Sequence, residues 1–175
     1  MTSTVKKAPS PVKLPGGGPV SASRAAAAPA LVVLTDFGEM YRSTPTRRVE
    51  LIRQGVRAVE LKDMVRLMDT SQDRVYKVLR LSPATVNRKA SRDEALSSED
   101  SERVVGMSKL IGQVQTMVEQ SGDPGGFDAA KWLAHWIEEP LPALGGACPA
   151  DYMDTMEGIK LVSNVLSTMQ SGAYV

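Results

Sequence analysis

Val104, Met107, Ile111, Val114 and Val118 recur at steps of three, four, three and four. Only the 3.6-residue repeat of an α-helix places such a set on one face, so the chain must hold a long helix with a buried seam. Gly106 and Gly112 fall inside that helix and predict a close approach by another one. Helix-start signals recur along the chain. Thr44-Pro45 and Ser82-Pro83 each pair a capping hydroxyl with proline in the first turn, and Ser97 with Asp100 forms a capping box. Aromatics make up only 5% of the residues, whereas Ala, Leu, Val and Met are plentiful, which favours helix over sheet. The fold class expected is all-α.

Residues 1–44 differ from the rest. Up to Pro29 they are Pro, Gly, Ala, Ser and Lys, with almost no large side chain to offset the entropy of ordering. They read as a disordered basic tail, in which Leu31-Val32-Val33-Leu34 could form a short strand or dock on the core. Ala25 to Leu34 contains Pro29 and lacks a small-residue cleavage site before Thr35-Asp36-Phe37, which argues against an export signal. No run reaches the roughly 20 apolar residues that span a bilayer. A single cysteine, Cys148, excludes an intrachain disulfide and suits a reducing cytoplasm.

From residue 45 a helix is expected to run from Thr44-Pro45 to a stop at Gly55. Leu61, Met64, Val65 and Met68 mark a second. Thr70 and Asp73 are spaced to box the start of a third, which carries Val75, Val78 and Leu79. A short break then leads to Ser82-Pro83 and a helix whose inward residue is Val86. Two short helices joined so tightly form the frame of a helix-turn-helix, whose second helix enters the DNA major groove. From Arg80 to Arg92 there are four basic residues, Arg80, Arg88, Lys89 and Arg92, and no acidic one. Ser82, Thr85 and Asn87 lie near the start of that helix, where short polar side chains reach bases or phosphates. These seven are the candidate DNA-binding residues. Tyr76 and Arg80 stand where a small residue and glycine are usual, and arginine in a left-handed turn costs about 1 kcal/mol.

Beyond the long helix, a loop from Ser121 to Gly126 precedes a helix through Ala129, Trp132, Leu133, Trp136 and Ile137, which ends before Pro140. A turn, Leu144 to Pro149, feeds a short helix. Asp154 to Gly158 then starts the last one, with the stripe Ile159, Val162, Val165, Leu166 and Met169 and a stop at Gly172. The series Trp136-Ile137-Glu138-Glu139-Pro140, Leu144-Gly145-Gly146, Pro149, Asp154-Thr155, Gly158, Val162, Leu166 and Gly172-Ala173-Tyr174 resembles the toxin-binding domain of Xre/MbcA/ParS-type antitoxins. Leu96-Ser97 through Ser101-Glu102-Arg103 resembles that family's link between its two parts, and the helix-turn-helix before it resembles the Xre-like portion. The resemblance covers about residues 46–175. It departs from the usual pattern at Leu133, where alanine is common, and at Met156 and Glu157.

The resemblance implies an Xre-like helix-turn-helix region over 45–95 and a helical toxin-binding domain over 96–175. It implies an antitoxin that occludes the active site of a RES-domain toxin acting on NAD, represses its own operon at operator DNA, and self-associates as a homodimer or higher oligomer. It places the toxin contacts at Trp136, Gly145, Gly146, Asp154, Thr155, Gly172, Ala173, Tyr174 and Val175. Tyr174 and a terminal carboxylate would suit a pocket built for an anionic cofactor.

Charge patterning agrees with two partners. Residues 1–92 hold 17 basic against 7 acidic residues, a balance of +10, and residues 93–175 hold 4 against 13, a balance of −9. Catalysis is not expected. His135, the only histidine, sits between Ala134 and Trp136 on a helix. Glu138-Glu139 and Asp151/Asp154 read as solvated helix ends, and Trp132 and Trp136 at i, i+4 as core. No His/Cys cluster suggests a metal and no phosphate-cradling glycine loop suggests a cofactor, so none is expected. Two other readings remain on the residues alone: a helix-turn-helix regulator without a toxin, and a protein-binding adaptor that no longer binds DNA.

Overall fold

The computed structural model describes residues 33–122 and 125–172. Its described residues form eight α-helices and two 3-10 turns, with no strand beyond an isolated bridge between Arg57 and Ala95. The helices are α1 (Phe37–Arg42), α2 (Pro45–Gln54), α3 (Ala58–Leu67), α4 (Gln72–Val78), α5 (Pro83–Ser91), α6 (Ser98–Ser121), α7 (Ala129–Trp136) and α8 (Met156–Gln170). The fold class is therefore all-α.

The long helix α6 organises everything else. Val104, Met107, Ile111 and Val114 on its seam are buried, and α1, α2, α7 and α8 all pack on it. Both interior glycines mark close approaches. A Cβ on Gly112 would lie 1.8 Å from the Phe37 carbonyl oxygen, and one on Gly106 would lie 2.7 Å from Ile159 Cδ1. Buried Gln113 ties α6 to α8: its Nε2 donates to Ser163 O at 2.9 Å and its Oε1 accepts from Ser163 Oγ at 2.7 Å.

The expected tail ends too late. Residues 1–32 lie outside the described residues, but 33–44 belong to the fold. Leu34 and Met40 are fully buried, Ser108 Oγ donates to Leu34 O at 2.6 Å, and Asp36 caps α1. The few large side chains here follow a long Pro/Gly/Ala stretch, and packing chiefly against α6 makes ordering them favourable. Arg48 of α2 closes the end of this segment by donating to Met40 O at 3.2 Å and to the carbonyl of Ser43. Burial lowers the pKa of that guanidinium.

Caps fall where expected at Thr44, Ser82 and Ser97, each accepting from the amide three residues on. The expected Thr70 cap is instead Ser71, whose side chain accepts from Arg74 N. Asp69 at φ 52 reverses the chain after α3 and leaves Thr70 as a spacer, so the register depends on where α3 stops. After α7, Pro142–Leu144 and Pro149–Tyr152 are single 3-10 turns, so the helix expected after Pro149 does not extend to α-helical length. On α8 the stripe Ile159, Val162, Val165 and Leu166 is buried as expected, whereas Met169 near its C-terminal end is exposed.

Candidate functional site

Helices α4 and α5 form the helix-turn-helix. Leu79 ends α4, Arg80 turns the chain at φ 49, and Leu81 N returns to Tyr76 O at 2.8 Å. This closing turn normally carries glycine at the left-handed position. Tyr76 is accommodated by burial: its ring is 1% exposed, its hydroxyl donates to Gln72 Oε1 at 3.2 Å, and desolvation raises its pKa. Helix α3 packs behind both, and Val86 of α5 is buried in the common core.

The outward face of α5 carries Ala84, Asn87, Arg88 and Ser91, all exposed and spaced i, i+3, i+4, i+7. Sequence reading identified Asn87 and Arg88; Ala84 and Ser91 complete the stripe and emerge only once Val86 fixes the rotation of the helix. Asn and Arg are the side-chain types that read adenine and guanine edges bidentately. The Arg88 guanidinium has no partner among the described residues.

The other basic candidates are engaged within the chain. Lys89 Nζ donates to Ala95 O at 2.6 Å, tying α5 to the segment before α6. Arg92 lies 3.9 Å from Glu94, and Arg80 Nε pairs with Asp154 Oδ2 at 2.9 Å. Ser82 serves as the α5 cap, and Thr85, half-buried, supplies the amide it accepts from. Of the seven sequence candidates, Asn87 and Arg88 are the two whose side chains are both exposed and uncommitted.

The C-terminal candidates divide similarly. Trp136 is 5% exposed and stacks on Trp132, with centroids 5.5 Å apart and rings 15° from parallel. Its indole belongs to the core, while the half-exposed Trp132 and exposed Phe127, 6.1 Å apart, present the outer aromatic surface. Thr155 is the α8 cap, accepting from Gly158 N at 3.1 Å. Gly145 and Gly146 sit in an open turn at φ 66 and φ 89, where nothing lies within 4 Å of an added Cβ. Glycine is needed there for backbone conformation rather than for close packing. Gly172, at φ 66, ends α8; Ala173, Tyr174 and Val175 lie outside the described residues. On α8, Met156, Leu161 and Met169 are exposed, at separate positions around the helix.

His135 is exposed, and Cys148 Sγ lies 3.2 Å from Glu138 O. No group of three or more metal-ligating side chains occurs among the described residues, and no helix among them is long and apolar enough to cross a membrane.

The arrangement defines a helix-turn-helix protein with an appended helical binding module. The family description "Antitoxin Xre-like helix-turn-helix domain" matches residues 47–108, and "Antitoxin Xre/MbcA/ParS C-terminal toxin-binding domain" matches residues 126–172. A protein of Sphingobium sp. (strain YBL2), named "Prs ADP-ribosylating antitoxin", is 48% identical over 138 residues, covering 79% of this chain and 87% of that protein. The chain belongs to the Xre/MbcA/ParS antitoxin family, and it is the antitoxin of a toxin–antitoxin system.

Proposed function

We propose that this antitoxin binds a RES-domain toxin that uses NAD, occludes its active site, and represses its own operon from the cytoplasm. The matched toxin-binding region carries the reading: it spans residues 126–172, and the sequence runs on from it to Tyr174. The relative's name associates that protein's system with ADP-ribosylation of Prs. Because ADP-ribosyl transfer draws on NAD, the name agrees with a toxin whose pocket holds an anionic dinucleotide. The antitoxin itself inhibits rather than catalyses, and self-association would present α5 twice for a symmetric operator.

The test is co-expression with the toxin encoded beside this gene, using the full chain and a chain lacking residues 172–175. The full chain should protect cells and suppress NAD consumption at equimolar ratio. Loss of both in a truncated protein of unchanged melting temperature assigns occlusion to the C-terminal segment. Retention of both moves the contact to α8 and the Gly145-Gly146 turn.

One observation favours a second reading, an antitoxin without operator binding: Arg80, Lys89 and Arg92 all have partners within the chain. Binding to its own promoter fragment separates the two.

A further inference from the structure

Among the described residues, three other than glycine take left-handed backbone conformations: Asp69 at φ 52, Arg80 at φ 49 and Asp93 at φ 55. They follow α3, α4 and α5, where glycine would be free of strain. Each carries an ion pair. Asp93 pairs locally with Arg57, whereas Asp69 meets Lys131 of α7 at 3.2 Å and Arg80 meets Asp154 at 2.9 Å. Arg74 of α4 reaches Glu138 at 3.4 Å beside them. The ends of α3 and α4 thus pair with the C-terminal module, and a cleft of about 690 Å³ lies where Arg74, Lys77 and Arg80 face Glu138, Asp151 and Asp154.

Arg80 is the informative member. It lies two residues before the Ser82 cap of α5, at the end of the recognition helix that approaches base edges and the flanking phosphates. Its side chain is 74% exposed, while that of Asp154 is only 19% exposed, fixed ahead of the Thr155 cap of α8. A carboxylate and a phosphate oxygen present the same chemistry to a guanidinium.

We propose that Asp154 competes with operator phosphate for Arg80, so that the toxin-binding module sets the DNA affinity of the helix-turn-helix. The proposal rests on the operator-binding reading above. In the free antitoxin the carboxylate holds the guanidinium, and DNA must displace it to gain that phosphate contact. Freed, Arg80 joins Arg88 at the DNA surface.

The test measures binding of the full chain to a fluorescent duplex covering its own promoter, across a salt series. Asp154→Asn should bind about three- to tenfold more tightly than the parent, with a salt slope steeper by about 0.9, the value for one added phosphate contact. Arg80→Gln should abolish that gain: Asp154→Asn added to Arg80→Gln should change nothing. Melting curves of each variant confirm an intact fold. No tightening, weaker binding, or tightening that persists without Arg80 would overturn the competition. Arg88→Ala separates the two levels. If it weakens binding while Asp154→Asn does nothing, operator binding stands and the competition falls. If no variant binds the promoter duplex above a scrambled one, both fall together.

Discussion

The helix-turn-helix and the C-terminal module use their charged and polar residues in opposite ways. On α5 the side chains suited to recognition, Asn87 and Arg88, stand free on a stripe completed by Ala84 and Ser91. In the C-terminal module most residues that stand out in the sequence have structural work: Trp136 packs, Thr155 caps, Asp154 holds Arg80, and Gly145 and Gly146 make a turn. A DNA-reading surface needs unpaired donors projecting from a rigid helix. A surface that binds protein can instead use backbone shape and apolar area, with its polar residues fixing the shape.

The charge division acquires a different meaning from the same comparison. A balance of +10 against −9 suggested two external partners, yet Arg74–Glu138 and Arg80–Asp154 join the two halves directly. Exposed pairs of this kind contribute only about 0–1 kcal/mol each. Shared packing on α6, rather than charge, accounts for most of the cohesion.

The largest expected effect tests whether the two regions are independent. Gly112→Ala must push the Phe37 carbonyl away from α6 and should cost at least about 3 kcal/mol. Urea unfolding followed by circular dichroism should show one transition at a lower midpoint. Two resolved transitions would mean that the regions unfold separately and that α6 does not unite them.

Arg88→Ala sharpens the DNA side, with an expected loss of about 1–3 kcal/mol in promoter affinity and little change in melting temperature. Thr155→Ala does the reverse for the C-terminal module. Removing the α8 cap should cost about 1 kcal/mol of stability, read by the same urea titration, while promoter affinity in the surviving folded protein stays within twofold or so. A large change in operator binding with unchanged stability would contradict the structural role given to Thr155.

Lys89 tests the distinction within α5 itself. Its amine serves Ala95 O, so Lys89→Met should leave the salt slope of DNA binding unchanged, whereas a phosphate-contacting lysine would remove about 0.9 from it. The smallest effect concerns Glu60, whose pKa is raised chiefly by desolvation. A raised carboxyl pKa means the folded state binds the proton more tightly than the unfolded state. Its relative stabilisation is greatest below the ordinary value of 4.5 and is lost as pH rises through the folded pKa. Glu60→Gln should therefore melt slightly higher than the parent at neutral pH, and the difference should close on acidification to pH 4; a difference independent of pH would exclude this cause.

The helical class, the caps at Thr44, Ser82 and Ser97, the seam of α6 and the family resemblance were all legible in the sequence. Each rests on contacts or periodicities spanning a few residues, which local order records directly. Gly106 and Gly112 even announced that something would come close to α6, though not that one partner would be the backbone of α1. What only tertiary structure decided is which side chains remain available. Whether Arg80 and Lys89 face solvent or a carboxylate and a carbonyl depends on residues 74 and 6 positions away, and the burial of Trp136 depends on how α7 meets the core. The residues 33–44 joined the fold for the same reason: their apolar groups are too few to order themselves, and chiefly the face of α6, far along the chain, gives them somewhere to be buried.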